Sequence, residues 1–217
     1  VGKTGLSVAL AQAIEGEILN VDSRQVYRGM DIGTGKPSFE VRRRVPHHLF
    51  DLVDPDEDFS LTHYLDAART SVDRVHGLGR PAILVGGTGQ YLWALVEGWA
   101  VPRVPPNEDL RALLTEEAET DGPTALHRKL ESLDPSAAAS IDRNNVRRVV
   151  RALEVIEATG RPFSEQRTAE PPGWEVTVIG LTADHPALDL KIKTRVETQM
   201  EEGWPAEVRG LLDRGYN

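Results

Sequence analysis

Gly2-Lys3-Thr4, at the head of the chain, combines three residue types that together handle phosphate. Glycine lets backbone N–H groups close around phosphate oxygens, lysine adds a mobile positive charge, and the threonine hydroxyl can ligate Mg²⁺. The triplet is the last third of the Walker A pattern, G-x-x-x-x-G-K-[ST], with the first glycine and the preceding strand absent. By itself Gly-Lys-Thr is common by chance. Its position adds weight, because a helical pattern follows at once and then a strand ending in an acid, Asp22. A carboxylate at the carboxyl end of a parallel strand beside a phosphate loop faces the ligand crevice. There it binds Mg²⁺ or accepts a proton from an incoming nucleophile; an ordinary turn aspartate would look the same in sequence.

The elements that must hold these groups can be read from periodicity. Residues 4–14 carry apolar side chains at helical spacing up to Gly16, and 17–21 read as a short buried strand. Residues 27–37 are rich in glycine and should form a loop, while 48–53 are expected as another strand. Ser60 is a good N-cap for a helix that stops at Gly77. Residues 81–85 are the clearest buried strand and run directly into Gly86-Gly87-Thr88-Gly89 and a further helix. Such alternation implies a parallel sheet flanked by helices, an α/β fold of the P-loop NTPase-like kind.

From 102 to 142 the pattern changes. Prolines at 102, 105 and 106 mark a break, and two short polar helices follow with Asp121-Gly122-Pro123 between them. With no strand candidates, the segment reads as an all-helical insertion lobe at 102–142 in a core made of 1–101 and 143–217. Residues 144–159 form a long amphipathic helix with Val146, Val149, Val150, Leu153 and Ile156 inward. A late strand at 175–181 and one or two helices over 188–212, broken near Gly203 and Pro205, complete the pattern.

Bulk composition sets broad limits. Of 217 residues, 40% are hydrophobic and 27% charged, as in an ordinary soluble protein, and no run reaches the length of a membrane span. Zero cysteines exclude disulfides and thiolate metal sites, and suit a cytoplasmic protein. A net charge of −9 argues at first sight against a nucleic-acid partner. The basic residues are clustered, however, as Arg42-Arg43-Arg44 and as Arg143, Arg147, Arg148 and Arg151 at helical spacing. Adjacent His47 and His48 point to opposite faces of a strand, which disfavours a metal site, and the scattered Trp93, Trp99, Trp174 and Trp204 are expected mostly in the core. Without an initiator Met, and stopping just after a helical pattern, the chain is expected to be a fragment lacking both termini.

Several segments carry a more specific signal: Gly2-Lys3-Thr4, the long run from Asp22-Ser23-Arg24-Gln25-Val26-Tyr27 through Gly33-Thr34-Gly35-Lys36-Pro37, and Pro46-His47-His48-Leu49. Val85-Gly86-Gly87-Thr88-Gly89-Gln90-Tyr91, Asn145-Val146-Arg147-Arg148-Val149-Val150-Arg151 and the helix around 191–208 follow. Together, and in this order, they resemble the tRNA dimethylallyltransferase family, the isopentenyl-diphosphate:tRNA isopentenyltransferases, over nearly the whole chain. Gly35 and Gln90 stand where the family often has alanine and leucine.

The resemblance implies transfer of a dimethylallyl group from dimethylallyl diphosphate to N6 of the adenosine on the 3′ side of the tRNA anticodon. By it, Asp22, Thr88 and Arg195 are the catalytic residues. Gly2, Lys3, Thr4, Ser7, Lys36 and Gly87 hold the diphosphate, with Mg²⁺ on Thr4. Asp22, Ser23, Arg24, Gln25, Arg147, Arg148 and Arg151 contact the anticodon stem-loop, as does the 102–142 lobe, and the protein works as a monomer. Ion pairing of the helix arginines to carboxylates such as Glu154 is the competing expectation. Rival functions are an adenylate isopentenyltransferase acting on free AMP, a small-molecule P-loop kinase, and a noncatalytic RNA-binding module.

Overall fold

The run Glu17-Ile18-Leu19-Asn20-Val21 becomes β1 (Glu17–Val21), buried along its whole length. β2 (His47–His48) and β3 (Ala82–Gly86) pair with it on either side, both parallel, in the order β2-β1-β3. The register sets Glu17 beside Ala82 and Val21 beside Gly86. The carboxyl ends of β1 and β3 therefore finish level with each other. Gly86 is obligatory there, because a Cβ on it would lie 1.9 Å from the Val21 carbonyl oxygen. This computed structural model describes residues 2–166 and 168–216.

Two compact units divide the chain: Val1–Val96 with Pro172–Asn217, and Glu97–Pro171. In the first, α1 (Lys3–Ala13) packs Val8 and Ala11 against Ile18 and Val45. α2 (Phe39–Arg44) is a short helix capped by Ser38, whose hydroxyl accepts from the Val41 N–H; the sequence pattern gave no sign of it. α3 (Leu61–Gly77) begins at Ser60 as expected, in a capping box whose third residue is His63. Its buried Tyr64 donates to the Asn20 carbonyl at 3.1 Å and stacks on Tyr91 of α4 (Gly89–Val96) at 4.1 Å.

The expected strand at 48–53 is mostly absent. Leu49 and Asp51 have φ of 66° and 57°, which turns the backbone out of extended form after His48. Only an isolated bridge from Val53 to Tyr27 survives beyond it. Residues 175–181 also form no strand. Their β-favouring side chains are exposed and, among the described residues, no neighbouring strand offers them a hydrogen-bond ladder. α9 (His185–Glu201) and α10 (Trp204–Asp213) break at Gly203, where the sequence places the break.

The second unit is helical: α5 (Glu108–Thr120), α6 (Pro123–Leu133), α7 (Pro135–Ser140), α8 (Val146–Thr159) and a 3-10 turn at Ser164–Gln166. It is wider than the expected 102–142 lobe because α8 belongs to it. The inward face of α8, Val149, Val150 and Leu153, shares one core with Leu114, Leu126 and Leu130. Asp134, buried, caps α7 through Ala137 N–H and accepts both Ser164 N–H and its hydroxyl, which ties the unit's end to its middle. Burial opposes its ionisation, yet those donors hold its pKa below the usual carboxylate value.

Candidate active site

The level ends of β1 and β3 bring Asp22 and Thr88 together. Thr88 N–H donates to the Val21 carbonyl at 3.1 Å, and Thr88 Oγ1 accepts the Ser23 N–H at 3.0 Å. Asp22 is half-buried, with one carboxylate oxygen taken by the Arg24 N–H at 2.9 Å. Its other oxygen has no partner among the described residues and is available to a ligand. Asn20, a polar residue in an otherwise apolar buried strand, fixes this corner. Its side chain accepts Asp22 N–H at 3.1 Å and donates to the Asp22 and Leu49 carbonyls at 3.1 and 3.0 Å. That buried asparagine was the available sequence signal for a second residue behind Asp22.

Lys3 reaches the same place from the start of α1. A Cβ on Gly87 would sit 3.2 Å from Lys3 Nζ, so the ammonium stands directly over the turn that carries Thr88. Gly2 precedes the helix in a left-handed conformation and provides no side-chain cap, and no acid occupies the first turn. The first N–H groups of α1 are thus left exposed beside Lys3 and Thr4, which is an anion-binding arrangement. Thr4's hydroxyl has no partner among the described residues. Ser7 is buried, and its hydroxyl donates to the Thr4 carbonyl at 2.9 Å.

Lys36, expected at the diphosphate, is held inside the protein. Its side chain is only 1% exposed. The three ammonium protons go to the Tyr27 carbonyl, Asp31 Oδ1 at 2.8 Å and Asp51 Oδ1 at 2.6 Å, leaving none for a diphosphate. Burial opposes charge on Asp51, but Lys36 and Arg42 together hold its carboxyl below the usual range. Lys36 is therefore an internal pin of the glycine-rich loop.

The opposite side of that loop faces the late helices. Gln25 donates to the Thr34 and Gly35 carbonyls at 3.1 Å each, and Arg195 donates to the Thr34 carbonyl at 3.2 Å. Gly35 has φ of 62°, and a Cβ there would lie 2.1 Å from the Arg195 guanidinium, so only glycine lets the arginine lie across the loop. Among the described residues Arg195 spends no other N–H group. Gln199, Trp204 and Glu207 touch the same loop; they lie in the 191–208 segment, but nothing in the sequence assigns them this role. Arg24 and Ser23 stand exposed and half-buried at the same corner.

In the helical unit, Arg147 and Arg148 are exposed at the start of α8 and make no ion pair among the described residues. Arg151 does not join them. It pairs with Glu154 and donates to the Pro102 and Val104 carbonyls at 3.3 and 3.0 Å. Glu154, 1% exposed, also accepts Asn107 N–H and Arg111 Nε, each at 2.8 Å. The expected pairing to a carboxylate is thus the one Arg151 makes in the folded chain.

His48 Nε2 lies 2.6 Å from Glu17, which also holds Arg80 at 2.6 Å, while His47 Nδ1 meets the Val45 carbonyl at 2.8 Å. No group of three or more metal-ligating side chains forms among the described residues. None of the four tryptophans is fully buried; Trp93 is exposed and Trp204 lies against the backbone of Gly33. No helix among the described residues is long and apolar enough to cross a membrane.

A sequence model described as IPP transferase matches residues 25–217. The chain belongs to the IPP transferase family. It is 54% identical over 217 residues to the tRNA dimethylallyltransferase of Roseiflexus sp. (strain RS-1), covering all of this chain and 71% of that protein. That of Herpetosiphon aurantiacus is 48% identical over 216 residues, with 69% of its length covered. Among solved structures, the full-length tRNA isopentenylpyrophosphate transferase of Bacillus halodurans superposes with TM-score 0.65 at 42% identity, over 100% of this chain and 68% of that one. A eukaryotic dimethylallyltransferase acting on tRNA gives TM-score 0.78 at 27% identity, over 98% of this chain and 53% of that one. The three-stranded parallel sheet with its flanking helices is thus the P-loop-like fold of these transferases.

Proposed function

We propose that the protein transfers a dimethylallyl group from dimethylallyl diphosphate to N6 of the adenosine 3′-adjacent to the anticodon in tRNA, releasing diphosphate. Membership of the IPP transferase family supports the reaction class. The observation that carries the chemistry is the meeting of Lys3, Thr88 and Asp22 at the ends of β1 and β3.

In this reading the diphosphate lies on the exposed N–H groups of α1, with Lys3 over the Gly87 turn. Thr4, its hydroxyl unpartnered, suits Mg²⁺, which prefers substrate phosphates and water with few protein ligands and needs no acidic cluster. When bound, the ion neutralises charge on the departing diphosphate. The N6 lone pair attacks the allylic carbon as the carbon–oxygen bond breaks, and the electron pair leaves on the bridging oxygen. Asp22 takes the N6 proton on its free oxygen, while the Arg24 N–H keeps the carboxylate aimed. Thr88's hydroxyl accepts the Ser23 N–H, but as a donor it makes only a long bond of 3.3 Å to Ser23 Oγ, so its proton turns readily toward the developing oxyanion. Arg195, with N–H groups to spare, adds positive charge on the leaving-group side. Ser23, Arg24 and Gln25 meet the flipped base and its neighbours; flipping costs least in an unpaired loop. Arg147 and Arg148 take tRNA phosphates, and the protein acts as a cytoplasmic monomer.

The test is transfer of label from dimethylallyl diphosphate, with Mg²⁺, to an unmodified tRNA transcript in the full-length protein. AMP serves as parallel acceptor and Asp22→Ala as control. Label in tRNA that disappears in the variant is expected. Label only in AMP assigns the protein to cytokinin-type chemistry, and no label in either refutes the isoprenoid reading.

A further inference from the structure

The backbone of the glycine-rich loop is gripped from outside by one carboxylate. Glu207, in the first turn of α10, accepts three consecutive N–H groups: Asp31 and Ile32 at 2.7 Å on one oxygen, and Gly33 at 3.0 Å on the other. Consecutive amides that converge in this way form an anion-binding nest, and here the anion is part of the protein itself. The carbonyl side of the same residues is held too, since Gln199 Nε2 donates to Ile32 and more weakly to Gly33 at 3.4 Å. Trp204 closes the grip: a Cβ on Gly33 would lie 2.3 Å from its indole nitrogen. In the next two residues, the Thr34 and Gly35 carbonyls receive Gln25, and the Thr34 carbonyl receives Arg195 as well.

We infer that Glu207 is a positioning residue for the transfer reaction, setting the loop so that its Thr34 and Gly35 carbonyls aim Gln25 at the acceptor and Arg195 at the leaving group. The inference rests on the reading given under Proposed function. Glu207 touches no reacting group; it acts through three amides and two carbonyls. A carboxylate suits the task because both oxygens only accept. In glutamine one oxygen becomes an NH₂ that must oppose a loop N–H, so Glu207→Gln releases part of the nest while keeping the side chain's size.

The experiment compares full-length wild type with Glu207→Gln and Glu207→Asp, by steady-state prenyl transfer to tRNA and by amide hydrogen exchange. The expected result for Glu207→Gln is a fall in kcat of about tenfold or more with the KM for tRNA little changed. Exchange at 31–33 should quicken by about tenfold or more while β1 and β3 amides stay as in wild type. Glu207→Asp, keeping the acceptor chemistry, should recover part of both. Unchanged exchange at 31–33, or freed amides with kcat unaltered, would overturn the inference. So would equal quickening in β1 and β3, since Glu207 would then brace the whole unit. A wild-type protein that transfers no isoprenoid sinks the functional reading, whereas the exchange comparison still decides the clamp.

Discussion

Lys36→Met separates two roles that a sequence leaves confounded, a cation for diphosphate and a cation for the protein's own loop. The structure puts Lys36 at 1% exposure against Asp31, Asp51 and the Tyr27 carbonyl. Breaking a fully buried ion pair costs about 3–5 kcal/mol, because the stranded charge loses both partner and water. Here the stranded carboxylates are better placed: Asp31 is 56% exposed, Asp51 is 35% exposed and keeps Arg42 at 2.9 Å. Both rehydrate in part, so the cost falls to about 2–3 kcal/mol, of which the unsatisfied Tyr27 carbonyl contributes about 1. For a protein of this size that lowers Tm by roughly 4–12 °C. Lys36→Arg should not restore stability, because a planar guanidinium does not fit a space cut for one ammonium. The assay is thermal unfolding by circular dichroism beside the KM for dimethylallyl diphosphate. A variant that melts with wild type while its donor KM rises tenfold or more would refute the reasoning and return Lys36 to the diphosphate.

Asp22→Asn should lower kcat by about 10²–10⁴ and leave Tm unchanged, because the amide oxygen still accepts the Arg24 N–H while the base is gone; transfer kinetics and a melting curve check it. Arg147→Ala and Arg148→Ala should each weaken tRNA binding and lower its log–log salt slope by about one, with stability unaffected. Arg151→Ala should do the reverse, destabilising the helical unit by leaving Glu154 short of a partner, as filter binding and urea unfolding would show. Glu154's pKa is depressed: burial opposes ionisation, but the Asn107 N–H, Arg111 and Arg151 outweigh it. The stability it adds is therefore present above its ordinary value of 4.5 and lost as pH falls through the lower folded-state value. Glu154→Gln should flatten that acid limb in urea midpoints measured between about pH 3 and 6.

Much of this architecture was legible because local and tertiary preferences agree. Ser60 caps α3, Gly203 separates α9 from α10, and the apolar runs ending at Asp22 and at the Gly86 turn are parallel neighbours. Where the reading failed, a partner remote in sequence decided the outcome. The 48–53 run looks like a strand, yet Asp51 sits at positive φ, held there by Lys36 and Arg42. The resemblance sets Lys36 at the diphosphate, and nothing in the sequence announces that Asp31 and the more distant Asp51 would take its ammonium. α8 looks like part of the sheet domain, but its apolar face is completed by helices of the other unit. Residue type shows what chemistry a side chain can do; who occupies its hydrogen bonds is a property of the folded chain.

The same distinction resolves the apparent conflict between a charge of −9 and an RNA substrate. Many of the basic residues are neutralised internally. Arg80 serves Glu17, Arg42 and Lys36 serve Asp51, Arg111 and Arg151 serve Glu154, and Lys129 serves Glu117. Cations with no ion pair among the described residues include Lys3 and Arg195 in the candidate site, Arg24 at its corner, and Arg147 and Arg148 on α8. At physiological salt a charge is felt over only about 8 Å, so a polyanion responds to these residues and little to the acidic surface beyond. Salt dependence of tRNA binding should accordingly track the count of unpaired arginines at the contact, and adding or removing distant surface acids should leave it unmoved.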